Sequence, residues 1–116
     1  MAEIKLEGDE LLVELSPLEK IEGIQASLRF PLSAVRAVRV ADNPYAEISG
    51  IRIGTGIPLV VAVGTWIGVG HKAFVAVHGH RAAVVIELED QAWDELIISS
   101  DDAEAEAERI ESALGA

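Results

Sequence analysis

The chain contains no cysteine. Disulfides, thiolate zinc sites and cysteine nucleophiles are thereby excluded, and a reducing, cytoplasmic setting is expected. Aromatic residues are scarce, only Phe30, Tyr45, Trp66, Phe74 and Trp93. A core must therefore be assembled from Val, Ile, Leu and Ala. Basic residues are outnumbered, nine Lys and Arg against twenty Asp and Glu, for a net charge of −11. That balance argues against nucleic acid and anionic membranes as partners, because both are polyanions. The opening MAEIKLEGDE has neither the positive region nor the apolar stretch of a signal peptide. Residues 53–70 carry no charge, a run about as long as a membrane-spanning helix needs. Five glycines and Pro58 interrupt it and basic or aromatic anchors do not flank it at both ends, so it reads as strands.

What is present is a pattern of short alternating segments. With 116 residues, one domain over 1–116 is expected. In residues 3–7, Ile4 and Leu6 alternate with Glu3, Lys5 and Glu7; Gly8-Asp9 is a turn signal; Leu11, Val13 and Leu15 alternate again. The spacing predicts an opening hairpin. Ser16-Pro17-Leu18-Glu19 carries a capping box with proline at the first helical position, which predicts a short helix over 17–22 ended by Gly23. A third strand over 26–30 and a fourth over 35–40 follow. Arg36 and Arg39 lie three apart on that fourth strand, which sends them to opposite faces and requires one of them to stand at an edge or end. Residues 41–58 are the least regular part of the chain, broken by Pro44, Gly50, Gly54, Gly56 and Pro58. They read equally as a functional loop or as a structural crossing.

Residues 59–89 are the centre. Three runs rich in Val and Ala are punctuated by Gly68-Val69-Gly70 and His78-Gly79-His80, which predicts a three-stranded antiparallel meander. The first two strands are apolar on both faces, so both faces must be covered. In the third, Val84, Ile86 and Leu88 read as inward and Ala83, Val85 and Glu87 as outward. A last strand is expected near 93–99, then a capping helix over 101–114. Asp101 and Glu104 mark its start, and Ala103, Ala107, Ile110 and Leu114 form its apolar stripe.

Seven or eight short antiparallel strands closed by one C-terminal helix resemble the pleckstrin-homology-like (PH-like) β-barrel or roll. Gly54-Thr55-Gly56-Ile57-Pro58, Val63-Gly64-Thr65-Trp66, Lys72-Ala73-Phe74-Val75-Ala76-Val77-His78 and Val85-Ile86-Glu87-Leu88 look like an uncharacterised bacterial family of that fold. The resemblance implies a fold and no activity. PH-like relatives that bind phosphoinositides carry Lys and Arg in the first hairpin. Here that turn is Glu7-Gly8-Asp9-Glu10, whose carboxylates repel a phosphate.

Little chemistry is visible along the chain. His78-Gly79-His80 reads as a polar hairpin tip, since His71 is about 23 Å away along an extended strand and Arg81 adjoins. Gly54-x-Gly56 and Gly68-x-Gly70 are turn glycines without the strand-to-helix context of a nucleotide site. No nucleophile elbow occurs, and no serine has a recognisable base nearby. The chain is therefore expected to be no enzyme and to use no cofactor or metal. Charge is unevenly distributed: residues 1–23 sum to −5, 24–81 to +4 and 82–116 to −10. Together with the doubly apolar strands, this favours an interaction module that forms a homo-oligomer or binds a protein partner. The alternative is a small anionic ligand held at the barrel mouth and the 41–58 loop. Arg36, Arg39, Arg52, Trp66 and Phe74 are the candidate interface or ligand residues.

Overall fold

The computed structural model describes residues 2–16, 27–48, 51–57 and 61–115, with backbone alone at 51–53 and 55–57. β1 (Glu3–Glu7), β2 (Glu10–Glu14) and β3 (Leu28–Pro31) form a small antiparallel sheet in that order. The β1–β2 turn is Gly8-Asp9, and Gly8 takes a φ of +62°, which costs a glycine nothing because it has no Cβ. Ile4, Leu11, Val13, Leu28 and Phe30 are buried on one face. The other face carries Lys5–Glu14 at 3.0 Å and Arg29–Glu10 at 2.7 Å. The helix expected over 17–22 lies outside the described residues.

The second sheet has six strands: β4 (Val35–Ala41), β5 (Ile51–Ile57), β6 (Val61–Gly68), β7 (His71–His78), β8 (Ala83–Leu88) and β9 (Glu95–Ser99). Their order is β4-β8-β9-β7-β6-β5. Nine strands, rather than seven or eight, are thus found among the described residues. The sheets are joined in sequence through a 3₁₀ turn, Leu32–Ala34, where Leu32 N–H donates to the Asp9 carbonyl and Glu89 N–H to that of Ala34. No ladder among the described residues closes one sheet onto the other, so the expected closed barrel gives way to two sheets.

The predicted meander is also corrected. β6 and β7 are antiparallel neighbours, but β8 stands one place further on, and β9 fills the slot between β7 and β8. β9 runs parallel to β7 and antiparallel to β8, so the sheet is mixed. Two strand spacings amount to ~10 Å, which residues 79–82 readily bridge. Leu96, Ile97 and Ile98 are all fully buried, as befits a central strand covered on both sides. Where the parallel ladder ends, the buried Ser99 hydroxyl accepts from His78 N–H and donates to the Ala76 carbonyl. The outward reading of Ala83 and Val85 fails for the same reason: both are fully buried.

Two apolar layers result. The inner one lies between the sheets and holds Phe74, Val84, Ile86, Leu96 and Ile98 against Val13, Phe30 and the helix. Trp93 seals one end of it. Its indole N–H donates to Thr65 Oγ1 at 3.1 Å, and its ring meets Phe30 and Phe74 edge-on at 6.2 and 5.8 Å. The outer layer covers the far face of the six-stranded sheet, with Trp66, Val75, Val77, Val85 and Ile97. Tyr45 and Ile48 pack onto that layer from the segment containing a second 3₁₀ turn, Pro44–Glu47. Much of the stretch expected to be irregular over 41–58 is therefore this turn and strand β5.

The helix α1 (Ala103–Leu114) buries Ala103, Ala107 and Ile110. Its small residues allow the close approach to the sheet that their spacing implied. Asp102, rather than Asp101, is the N-cap, its carboxylate accepting from Ala105 N–H at 3.2 Å. Arg109 Nη2 donates to the Ile4 carbonyl at 2.8 Å and so ties the helix to β1.

Candidate functional site

The five residues singled out by sequence part company in the structure. Phe74 is fully buried in the inner layer, whereas Trp66 belongs to the outer layer. The register explains the split: Thr65 stands opposite Phe74 and Trp66 opposite Ala73, so the two rings project to opposite faces. Neither ring is available as an interface anchor on a free chain. Arg52 stands opposite Trp66 in the β5–β6 register, and its side chain lies outside the described residues.

Arg36 and Arg39 share an edge strand, since among the described residues β4 pairs with β8 alone. Strict alternation would place them on opposite faces. A register shift between Val35 and Ala37 inserts Arg36 as an extra residue, a bulge that redirects its side chain. Arg36 then lines a cleft on the same side as Glu87 and His71. Its guanidinium lies 4.0 Å from the Glu89 carboxylate, and both side chains are mostly exposed. Bulge and charge together blunt an edge strand against unwanted pairing.

Arg39 organises a chain of alternating charge across the outer face. It donates to the Glu47 carboxylate on the 3₁₀ turn and lies 4.0 Å from Glu95 on β9. Glu95 in turn meets His71 Nε2 on β7 at 3.5 Å. Glu87 and Glu95 are direct cross-strand partners, a like-charge arrangement that costs stability unless a base stands beside it. Arg39 supplies that compensation. The hydrogen bond it donates to Glu47 raises the Arg39 pKa above its ordinary value; partial burial opposes it, and the charges of Glu47, Glu95 and Glu87 add to it. Arg39 is thus a committed charge. The 3₁₀ turn is held a second time by Tyr45, whose hydroxyl donates to the Gly79 carbonyl at 2.8 Å.

The uneven charge along the sequence finds its use within one chain. Bases of the middle segment pair with acids of the two ends: Arg29 with Glu10, Arg36 with Glu89, Arg39 with Glu95 and Arg81 with Asp101. The doubly apolar strands are likewise buried within one chain, Val63, Val75 and Val77 completely. Both features that first pointed to self-association are therefore satisfied internally.

A different feature is left over. The β6–β7 hairpin turns on Val69-Gly70, and Gly70 takes a φ of +67°. Val69 is fully exposed and Ile67 exposed; among the described residues they are the exposed large hydrophobic side chains. Turns of this kind favour Asn, Asp, Ser or Gly, and a β-branched apolar residue gains nothing there from folding. Immediately beside the tip lies the cleft, about 390 Å³, with Arg36, Ala37, Gly70, His71, Glu87 and Asp94 in its wall. Lys72 sits next to it, its ammonium 5.3 Å over the Trp93 ring and its N–H donating to the Asp94 carboxylate at 2.8 Å. The tip, His71, Glu87 and Glu95 were all missed as site residues. The signal for the tip was a valine between two turn glycines, a poor residue for a turn. For Glu95 it was a lone carboxylate opening an apolar run.

Among the described residues no three His, Asp or Glu side chains gather as a metal site, and no helix is long and apolar enough to cross a membrane. Comparison with known proteins finds no matching family model, no matching curated protein and no matching solved structure.

Proposed function

We propose that this chain is a non-enzymatic interaction module that docks a protein through the β6–β7 hairpin tip and the cleft beside it. One observation carries the reading: Val69 is fully exposed at a turn position where folding has no use for it. Apolar side chains at the centre of an interface contribute most of its binding energy, with a polar rim around them. Val69 supplies the apolar centre; Arg36, His71, Glu87 and Asp94 supply the rim. The PH-like assignment belongs to the same reading. Two sheets followed by one packed C-terminal helix support it, and the parallel β7–β9 pair departs from an all-antiparallel roll. The test is a photo-reactive residue placed at position 69 in the native host. Discrete protein adducts that disappear when Arg36→Glu is added, and that are not formed from the exposed position 46, are expected. Identical adduct patterns from positions 69 and 46 would overturn the proposal.

A second reading is favoured by Arg36 alone. It is the arginine of the outer face that meets its carboxylate at 4.0 Å, whereas Arg39 is hydrogen-bonded to Glu47. A small acid could displace Glu89 and occupy the cleft. A thermal-shift series with small carboxylates and phosphates tests it, because a ligand that binds only the folded state must raise the melting temperature. A shift that survives Arg36→Gln would count against it.

A further inference from the structure

We infer that the partner seated on this surface is a second copy of the chain, with the Val69 tip of each protomer in the cleft of the other. The inference rests on the interaction reading above and goes beyond it by naming the occupant.

Three features support a second copy. The first is adjacency of protrusion and recess. Gly70 lines the cleft and Val69 is its neighbour at the tip, so knob and hole share one end of one hairpin. A two-fold axis beside that end brings each knob to the other protomer's hole in a single operation. That is the definition of an isologous contact, and it closes without leaving a free surface for further copies.

The second is charge. The chain as a whole carries −11, so two copies approaching at random repel each other. The cleft is an exception, because Arg36 shares it with Glu87 and Asp94. A wall bearing both signs is complementary to its own copy when Arg36 of one protomer meets Glu87 of its partner. Arg36 is free to make that exchange, since its present contact with Glu89 is long and exposed. The Glu87 side chain makes no hydrogen bond or ion pair among the described residues and is exposed, with its charge acting on Arg39 alone of the nearby bases.

The third is shape of the edge. β4, which borders the cleft, is guarded by its bulge and by Arg36 and Arg39 against adding a strand. The contact is therefore one of side chains across a turn, not a continued sheet. Two apolar side chains and a charged rim make a small interface, so the dimer is weak and dependent on concentration.

Sedimentation velocity from micromolar to millimolar protein tests the inference. The wild type is expected to pass from monomer to dimer and to stop there. Val69→Asp, which alters a fully exposed turn residue and leaves the melting temperature unchanged, is expected to raise the dissociation constant at least about tenfold; Val69→Ser gives a milder loss. Arg36→Glu alone and Glu87→Arg alone each abolish dimerisation, and an equal mixture of the two restores it as a heterodimer, since one pair is then reversed, the other native, and both are complementary. Because the chain has no cysteine of its own, Val69→Cys and Ala37→Cys protomers mixed under oxidation report the seating directly through a mixed disulfide. A wild type that stays monomeric throughout overturns the second copy while leaving the photo-crosslinking result at position 69 to judge the interaction reading. A dimer indifferent to Val69→Asp, or a charge-reversed mixture that stays monomeric, overturns it as well.

Discussion

Replacing Thr65 with valine isolates a single buried hydrogen bond at the sealed end of the inner layer. The Thr65 hydroxyl accepts from the Trp93 indole N–H at 3.1 Å, and both side chains are at least nine-tenths buried. Valine keeps the shape and removes the acceptor. The indole ring is held in place by Phe30 and Phe74, 6.2 and 5.8 Å between centroids, and Thr65 Oγ1 is the acceptor it has among the described residues. An orphaned buried donor costs about 1–3 kcal/mol, and the added methyl surface offsets at most about 1 kcal/mol of it. The net loss of about 1–2 kcal/mol lowers the melting temperature by about 4–8 °C in a chain of this size. Thr65→Ser keeps the acceptor and should lose less than the valine variant despite the missing methyl. In the double variant with Trp93→Phe the orphan no longer exists, so the Thr65→Val cost should shrink to near zero or change sign in that background. Urea unfolding followed by far-ultraviolet circular dichroism gives the four corners of the cycle. A Thr65→Val variant as stable as the wild type, or strict additivity with Trp93→Phe, would refute the reasoning.

Gly54→Ala should be among the most damaging single-atom additions available: a Cβ at that position, where φ is +142°, would lie 2.3 Å from the Val63 carbonyl oxygen and 2.8 Å from the Gly64 Cα. Because those are backbone atoms of the paired strand, we expect loss of about 3 kcal/mol or more and hydrogen-exchange protection lost first in β6. Burial raises the Tyr45 phenol above its ordinary pKa. The neutral form is favoured in the fold, so the stability it contributes is fully present below the ordinary tyrosine value and declines as pH rises through the raised one. Absorbance titration of this single tyrosine should show the raised midpoint, and Tyr45→Phe should remove the alkaline decline while costing about 1 kcal/mol at neutral pH through the lost bond to Gly79. Arg109→Met keeps the apolar stem and deletes the donor to Ile4, so about 1 kcal/mol should be lost and amide exchange should quicken in β1 before the rest of the small sheet. Ile97→Ala, at a fully buried position of the central strand, should cost about 2–5 kcal/mol in denaturant unfolding.

The strands that alternate cleanly were legible because one face is wet. Lys5, Glu14 and Arg29 announce their side of the small sheet, and Ile4, Val13 and Phe30 announce the other. The helix was legible within two residues because its apolar stripe and caps are local. What escaped is non-local. A strand covered on both faces has no parity, so Ala83 and Val85 could be assigned outward without contradiction, and nothing in Leu96-Ile97-Ile98 says which strands flank it. Direction is equally silent, because a parallel and an antiparallel neighbour ask for the same side chains from a doubly buried strand. At the site, the bulge at Arg36 defeated a spacing argument that is sound for a regular strand. Trp66 and Phe74 stood out because they lie on strands apolar on both faces, and the cover those faces need comes from the chain's own layers. Val69 escaped because a residue between two glycines was read as punctuation.

The slot occupied by β9 has a consequence in time as well as in space. Until residues 95–99 arrive, β7 and β8 face one another across a gap one strand wide, and neither can complete its ladder. The earlier strands can form two separate pieces, β5-β6-β7 and β4-β8, that share no backbone hydrogen bonds with one another. The last of the described strands in chain order is thus the one that unites the sheet, and the step that places it completes the ladders of β7 and β8 together. Cooperative folding is therefore a late event for this chain. In pulsed hydrogen exchange during refolding, amides of β7 and β8 should become protected together with those of β9 and not before.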